Sequence, residues 1–394
     1  MENSFTFRLQ IIVFGLVSVA FTNLYVTQPV LPVLQQEFSV DLVLVSLTVS
    51  SVILGITLSN LPFGFLSDRL SVHPIILTGG TIVSIGGLVC AFTGEMWILI
   101  SARFIQGLFI PSLTTCLAAY LAKTLPIERL NVVMGSYVSA TVLGGLSGRL
   151  FGGWIHPPLH WRYAFITVSI LTFLTTIIAV KWLPKYRINS GGVRDNIGFF
   201  QIVTQWKLLR IFLCATGSFA IFSSVFNYLP YRLSESQFGF STEVTTLFYL
   251  VYVVGIFIGP ITGRVSNRFG SGNTLVGGSI ILACALVILY LPFVVSVVIG
   301  LILICAGFFT VHSAAVGALN RKLSSGQGRA NALYVLFYYI GGWLGITGAG
   351  LAYKWGGWST LMQLTFVLVI IPFSAGLGER RSIDVGGDVR ERVQ

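Results

Sequence analysis

Long apolar runs separated by short polar breaks dominate the chain. A helix crosses the hydrocarbon core of a bilayer with about 20 mostly apolar residues. Runs of that length lie at 9–33, 43–66, 74–93, 97–122, 131–154 and 162–183. A second set lies at 211–232, 244–264, 273–293, 295–318, 329–352 and 358–378. The pattern predicts an all-α membrane protein of twelve transmembrane helices. Its expected organisation is a six-helix bundle over 1–183, a linker over 184–210, a second bundle over 211–380 and a tail over 381–394. The linker contains the polar run Asn189-Ser190-Gly191-Gly192.

Composition agrees with lipid as the main solvent. Charged residues are 9% of the 394 and hydrophobic ones 55%, against roughly 25% charged in an ordinary soluble domain. The net charge of +11 does not point to nucleic acid, because the basic residues sit in the breaks between apolar runs and form no basic face on a soluble domain. One side of the expected bundle holds Arg8, Arg69, Lys123, Arg129, Arg264, Arg268, Arg321 and Lys322, together with the linker and tail cations. The opposite side holds only Arg162, Arg232 and Lys354. Positive charge stays inside, so both termini are expected in the cytoplasm of a multi-pass inner-membrane protein. Arg8 precedes a long apolar run with no small-residue cleavage site, which reads as a first span rather than a removed signal. The five cysteines lie within apolar runs without metal-ligand spacing.

The two halves echo each other. Gly64-Phe65-Leu66-Ser67-Asp68-Arg69, expected in the loop after the second span, matches Gly263-Arg264-Val265-Ser266-Asn267-Arg268 after the eighth. Gly144-Gly145-x-x-Gly148 in the fifth span matches Gly341-Gly342-x-x-Gly345 in the eleventh, and the same register pairs Trp161 with Trp358. Two like-oriented six-span repeats are a device by which transporters build a site at the repeat interface.

These residues also carry a family likeness that covers essentially the whole chain. Gly64-x-Leu66-Ser67-Asp68-Arg69 resembles the motif G-x-L-a-D-r-x-G-r-k of the major facilitator superfamily, with Ser71, Val72 and His73 in place of its last Gly and basic pair. Arg103-x-x-Gln106-Gly107 resembles the family's fourth-span element. Gly144-x-x-x-Gly148-Arg149-x-x-Gly152-Gly153 is similar to the fifth-span motif of its proton-coupled exporters, with Arg149 where that motif has Pro. Pro29-Val30-Leu31-Pro32 is similar to an element of the twelve-span drug and sugar efflux permeases. The resemblance implies the major facilitator fold and a monomeric secondary transporter. It further implies efflux of a small organic solute (drug, sugar or metabolite) by alternating access in exchange for protons. The proton gradient would be the energy source, with no cofactor, and the partners would be the solute, protons and lipid. An importer or uniporter of a small neutral or anionic metabolite is the alternative, and a lipid flippase or channel the reading from another class. No His/Asp/Glu/Cys constellation within the spans suggests an enzyme.

The candidate residues fall into three groups. Gly64, Asp68, Arg69, Asn267 and Arg268 are expected to form a conformational latch, Gly64 by letting two helices approach and Asp68 by pairing with a cation. The bland alternative is a solvated pair worth under about 1 kcal/mol. Arg103, Gly107, Gly144, Gly148, Arg149, Gly152 and His312 are expected to serve coupling or gating. An arginine in mid-span costs at least about 2.5–3.5 kcal/mol on insertion scales, unless it snorkels to an interface. The family resemblance implies that Arg103 binds first-span carbonyls or takes part in proton coupling, whereas His312 is a titratable candidate or a structural hydrogen-bonder. Asn23, Tyr25, Gln28, Asn227 and Tyr228 are expected to line a substrate cavity, with interhelical hydrogen bonding as the alternative. All thirteen Asp and Glu fall in loops, tails or span ends, which favours a neutral or anionic solute.

Overall fold

A computed structural model describes residues 2–184, 198–323 and 326–391. In lipid every backbone N–H and C=O must find a partner within the protein, so a chain this apolar folds as helices. Among the described residues there is no strand. Ten helical stretches are apolar and long enough to cross a membrane on length and composition alone. The last of these, Gln327–Arg380, has 54 residues, or about 80 Å at 1.5 Å per residue, and makes two crossings. They part at Gly356-Gly357, where Gly357 takes φ +63°, a conformation a side chain would resist. The 28-residue helix Ile127–Trp154, about 42 Å long, is a further crossing. Among the described residues the count is therefore twelve, as the pattern of apolar runs predicts.

Several spans depart from continuous helices. The first runs as Glu2–Tyr25, a 3-10 turn at Gln28–Val30, then Leu31–Phe38. Pro29 has no N–H to give the preceding turn and its ring crowds the carbonyl four residues back, so the expected continuous span 9–33 is broken there. The fourth span runs as Met96–Leu113 and Thr115–Thr124, with Pro111 just before the break. The eighth runs as Thr242–Leu247, a 3-10 stretch at Phe248–Val253 and Val254–Phe269. Of the expected linker, residues 185–197 lie outside the described residues. Beyond them a short helix Phe199–Val203 precedes a seventh-span helix that begins at Trp206. Helix Ile370–Glu391 runs through the start of the expected tail, and 392–394 lie outside the described residues.

The chain divides into two compact units, one of residues 1–192 and 229–250, the other of 193–228 and 251–394. In the first unit, helix Ile127–Trp154 packs on the first span through its glycines. A Cβ on Gly144 would lie 2.3 Å from the carbonyl oxygen of Ser18, one on Gly148 2.5 Å from that of Thr22, and one on Gly152 2.0 Å from that of Val26. The second unit repeats the joint between its seventh and eleventh spans. There a Cβ on Gly341 would lie 2.1 Å from the Thr216 oxygen and one on Gly345 2.5 Å from that of Ala220. Hydroxyls bridge both joints, Thr22 donating to the Gly144 carbonyl (3.2 Å) and Thr216 to that of Phe337 (2.9 Å). Small residues drive such helix pairs in lipid because backbones can touch. Gly107, in the fourth span, makes the same kind of contact with Val52 of the second. Large apolar side chains such as Leu58, Ile85, Phe257 and Ile280 are exposed on the helix exteriors, a liability in water that lipid removes.

Candidate functional site

The first-span break determines where the polar residues of the first unit gather. The last carbonyls of a helix have no partner within it, and Arg103 supplies donors to two of them. Its Nη1 donates to Asn23 O (2.7 Å) and its Nη2 to Leu24 O (2.8 Å). Nε donates to Thr48 O in the second span (3.0 Å), and Nη1 also donates to Gln106 Oε1 (2.8 Å). Gln106 in turn donates to Val83 O (2.9 Å), and Asn23 Nδ2 donates to Thr172 Oγ1 (2.8 Å). The guanidinium is fully buried, and one side chain thus ties spans one, two and four directly, and three and six through its amide neighbours. Gln106, within the fourth-span element but not among the expected site residues, is central to this network. Its signal is an amide one turn from a buried arginine.

Arg149 forms a second centre. It is 2% exposed and, like Arg103, buried within the first unit. Its Nε donates to Gln28 Oε1 (2.6 Å) and its Nη1 to the carbonyl of Gly145 one turn back (2.7 Å). The guanidinium lies 3.7 Å from the Tyr25 ring centre and 5.7 Å from that of Tyr249. Two expected cavity residues, Tyr25 and Gln28, are thereby gathered on Arg149, while Asn23 belongs to the Arg103 network. Tyr249 comes from the 3-10 stretch of the eighth span and belongs to the first unit. An aromatic in a non-helical stretch carries no periodicity signal, and sequence reading passed over it.

Beyond these centres, Glu37 at the end of the first span accepts from the indole of Trp161 and pairs with Arg162 (2.9 Å) and His160 (3.4 Å). In the adjoining loop, burial and then the neighbouring His160 push His156 below the usual imidazole range.

In the second unit, His312 Nδ1 meets the Tyr334 hydroxyl at 3.0 Å. Its ring lies against Phe308 (5.8 Å) and Tyr338 (5.3 Å). Tyr338 stacks on Phe219 at 3.7 Å, and Phe222 on Phe308 at 4.0 Å. Asn227 and Tyr228 are fully buried. The Tyr228 hydroxyl donates to Ile346 O (3.0 Å) and its ring stacks on Tyr353, contacts that join the seventh and eleventh spans.

The expected latch differs in two respects. Residues 64–69 and 263–269 are helical, so the connections shrink to Leu70-Ser71 and to Gly270 at φ +83°. A Cβ on Gly64 would meet nothing within 4 Å, so Gly64 is not a close-approach glycine in this conformation. Gly64→Ala is accordingly expected to leave the thermal unfolding temperature unchanged or slightly raised, since Ala gains about 0.5–1 kcal/mol over Gly in a helix. Asp68 pairs with Lys123 Nζ at 2.6 Å, and the same ammonium donates to Ser67 O (2.9 Å). Both side chains are well exposed, so the pair contributes under about 1 kcal/mol to this conformation. Arg69, Asn267 and Arg268 are exposed, with Arg268 5.2 Å from the Phe269 ring. The second unit repeats the arrangement through Arg321, which donates to Ser266 (3.3 Å) and to Ser271. Lys123 and Arg321 end the fourth and tenth spans, and their matching places were the signal available for finding them.

A buried ion cluster in the second unit also escaped sequence reading. Glu379, with 5% side-chain exposure, pairs with Arg210 (2.6 Å) and Lys322 (2.8 Å). Arg210 donates also to Gly378 O (2.6 Å). Breaking a buried pair by removing one partner costs about 3–5 kcal/mol, so Glu379→Gln is expected to lower the unfolding temperature of the purified protein markedly. Among the described residues, no group of His, Cys, Asp or Glu could hold a metal ion.

A multi-pass helical membrane protein built from two repeats, each joined by glycine-paired helices, is the architecture of secondary transporters. The model of the Major Facilitator Superfamily matches residues 13–346, and the chain belongs to that family. It is 27% identical over 373 residues to the inner membrane transport protein YnfM of Escherichia coli (strain K12), covering 92% of this chain and 89% of that one. It is 25% identical over 324 residues to a chloramphenicol resistance protein of Pseudomonas aeruginosa, covering 78% and 75%. Among solved structures, the nucleoside transporter NupG superposes with a TM-score of 0.77 at 13% identity, covering 94% of this chain and 99% of that one. A bacterial homologue of the human lysosomal transporter Spinster superposes with a TM-score of 0.76 at 16% identity, covering 96% and 98%. The protein is thus a membrane transporter rather than an enzyme.

Proposed function

We propose that this transporter is a proton-coupled exporter of a small organic solute in the bacterial inner membrane, acting as a monomer with both termini in the cytoplasm. The observation that carries the reading is the glycine joint between the fifth and first spans, repeated between the eleventh and seventh. Close, smooth contacts between whole helices let each bundle move as a body in alternating access. The fifth-span glycines are those that resemble the exporters' motif, and a relative named for chloramphenicol resistance supports efflux. Lys123 on Ser67 and Asp68, and Arg321 on Ser266 and Ser271, act as matching cytoplasmic latches with Gly64, Arg69, Asn267 and Arg268 beside them. Arg103 holds the first-span break in shape, and His312 with Tyr334 is the titratable pair of the second bundle. Tyr228 ties the seventh span to the eleventh, with Asn227 buried beside it.

The test uses inverted membrane vesicles carrying a proton gradient and a panel of cationic, neutral and anionic solutes. Proton release triggered by one solute class is the expected result. Solute movement without proton release would transfer the reading to a uniporter, and silence with every solute from folded protein would count against export.

A further inference from the structure

One end of the first unit carries an open groove of about 440 Å³, lined by Arg8, Leu9 and Ile12 of the first span and by Trp182 and Pro184 at the close of the sixth. Its sixth-span wall is fixed from behind. His73 Nε2 meets the carbonyl of Leu183 at 2.9 Å, and the Tyr120 hydroxyl donates to that of Pro184 at 2.8 Å. Lys123, at the same end, is committed to Asp68 and Ser67. Arg8, by contrast, is exposed and has no hydrogen-bond or ion-pair partner among the described residues. Trp182 is exposed as well, and it ends a row of exposed apolar side chains one turn apart: Ile170, Leu174, Ile178 and Trp182. We infer that this groove binds one anionic phospholipid, its headgroup phosphate on Arg8 and an acyl chain along the row that ends at Trp182.

Three features fit a lipid better than a soluble anion. The row covers about 18 Å at 1.5 Å per residue. One leaflet contributes about half of a hydrocarbon core some 30 Å thick, so the row matches an acyl chain in length. Trp182 stands at the polar end of that row, and an indole, with its apolar body and N–H tip, favours the headgroup level. Arg8 shares the groove with Trp182, which puts a guanidinium at the level of the lipid phosphate, where its fork can donate to two oxygens at once. Charge then selects among lipids. Basic pockets between membrane helices hold anionic headgroups. The described lining includes no Asp or Glu to receive the cation of a zwitterionic headgroup. A phosphodiester carries one negative charge, which one arginine balances.

The experiment reconstitutes the full chain in vesicles of phosphatidylcholine with increasing phosphatidylglycerol, one or the other brominated on its acyl chains to quench nearby tryptophan. The chain has eight tryptophans, so the quenching at Trp182 is read as the difference between the wild type and Trp182→Phe. There phosphatidylglycerol is expected to be preferred about fivefold, the worth of one basic residue at a membrane surface. Arg8→Gln should bring the preference close to unity. Lys207→Gln, which removes an exposed cation from the second unit, should leave it in place. Glycerol phosphate added to the medium is expected not to displace the quenching lipid. Equal affinity for the two lipids, tighter binding of phosphatidylcholine, or a preference that survives Arg8→Gln would overturn the site. An equal loss in Lys207→Gln would do so too, since general surface charge would then account for it. Displacement by glycerol phosphate would reassign Arg8 to a soluble anion and contradict the lipid assignment.

Discussion

Arg103→Ala is expected to yield little folded protein, and what survives should unfold at a much lower temperature than the wild type. The substitution strips donors from Asn23 O, Leu24 O, Thr48 O and Gln106 Oε1 at once. Each orphaned buried acceptor costs about 1–3 kcal/mol. A total loss of at least about 3 kcal/mol follows even after local relaxation. Arg103→Lys should recover only part of it, because an ammonium offers three donors from one point and cannot span acceptors on three helices. Thermal unfolding followed by size-exclusion in detergent checks both variants. An Arg103→Ala protein as stable as the wild type would show that the first-span break does not depend on this residue.

The second large effect is expected at the glycine joints. A leucine at Gly148 would drive its side chain into the backbone of Thr22, where even a Cβ comes within 2.5 Å of a carbonyl oxygen. Backbone cannot rotate away as a side chain can, so the helices must separate, losing contact along their whole length. Overpacking costs typically about 1–3 kcal/mol. Here the joint lies inside a bundle that has to move as one body, so transport should be abolished even where folded protein remains. Gly345→Leu, at the matching joint with Ala220, should behave alike. Transport and unfolding temperature measured together check the pair, with Gly64→Ala as the contrasting substitution that should not lower the unfolding temperature.

The fold was legible in the sequence because lipid imposes one rule along its length. Every crossing had to be an apolar run of sufficient length, so helix number and approximate bounds follow from hydropathy alone. The breaks were less visible. Pro29 advertised the one in the first span, yet nothing in residues 248–253 marks a 3-10 stretch. The glycine echo between Gly144-x-x-x-Gly148 and Gly341-x-x-x-Gly345 translated directly into repeated geometry, because a glycine at a helix joint has one physical use. Side-chain partnerships were harder. Arg103 on first-span carbonyls was anticipated through the family resemblance, but Lys123 on Asp68 and Glu379 between Arg210 and Lys322 join residues distant in sequence. Gly64 illustrates a motif residue whose expected close approach is absent from this conformation.

Carrier action by alternating access is the central claim, and counterflow tests it most directly. Proteoliposomes preloaded with the unlabelled solute that triggers proton release in the vesicle panel are diluted into a trace of the same solute labelled, and the internal label is followed in time. A carrier exposes one site to one side at a time, so the account predicts a transient accumulation of label above equilibrium, absent with Gly148→Leu. Label that rises smoothly to equilibrium without an overshoot, while the protein conducts that solute, would contradict it and indicate an open path.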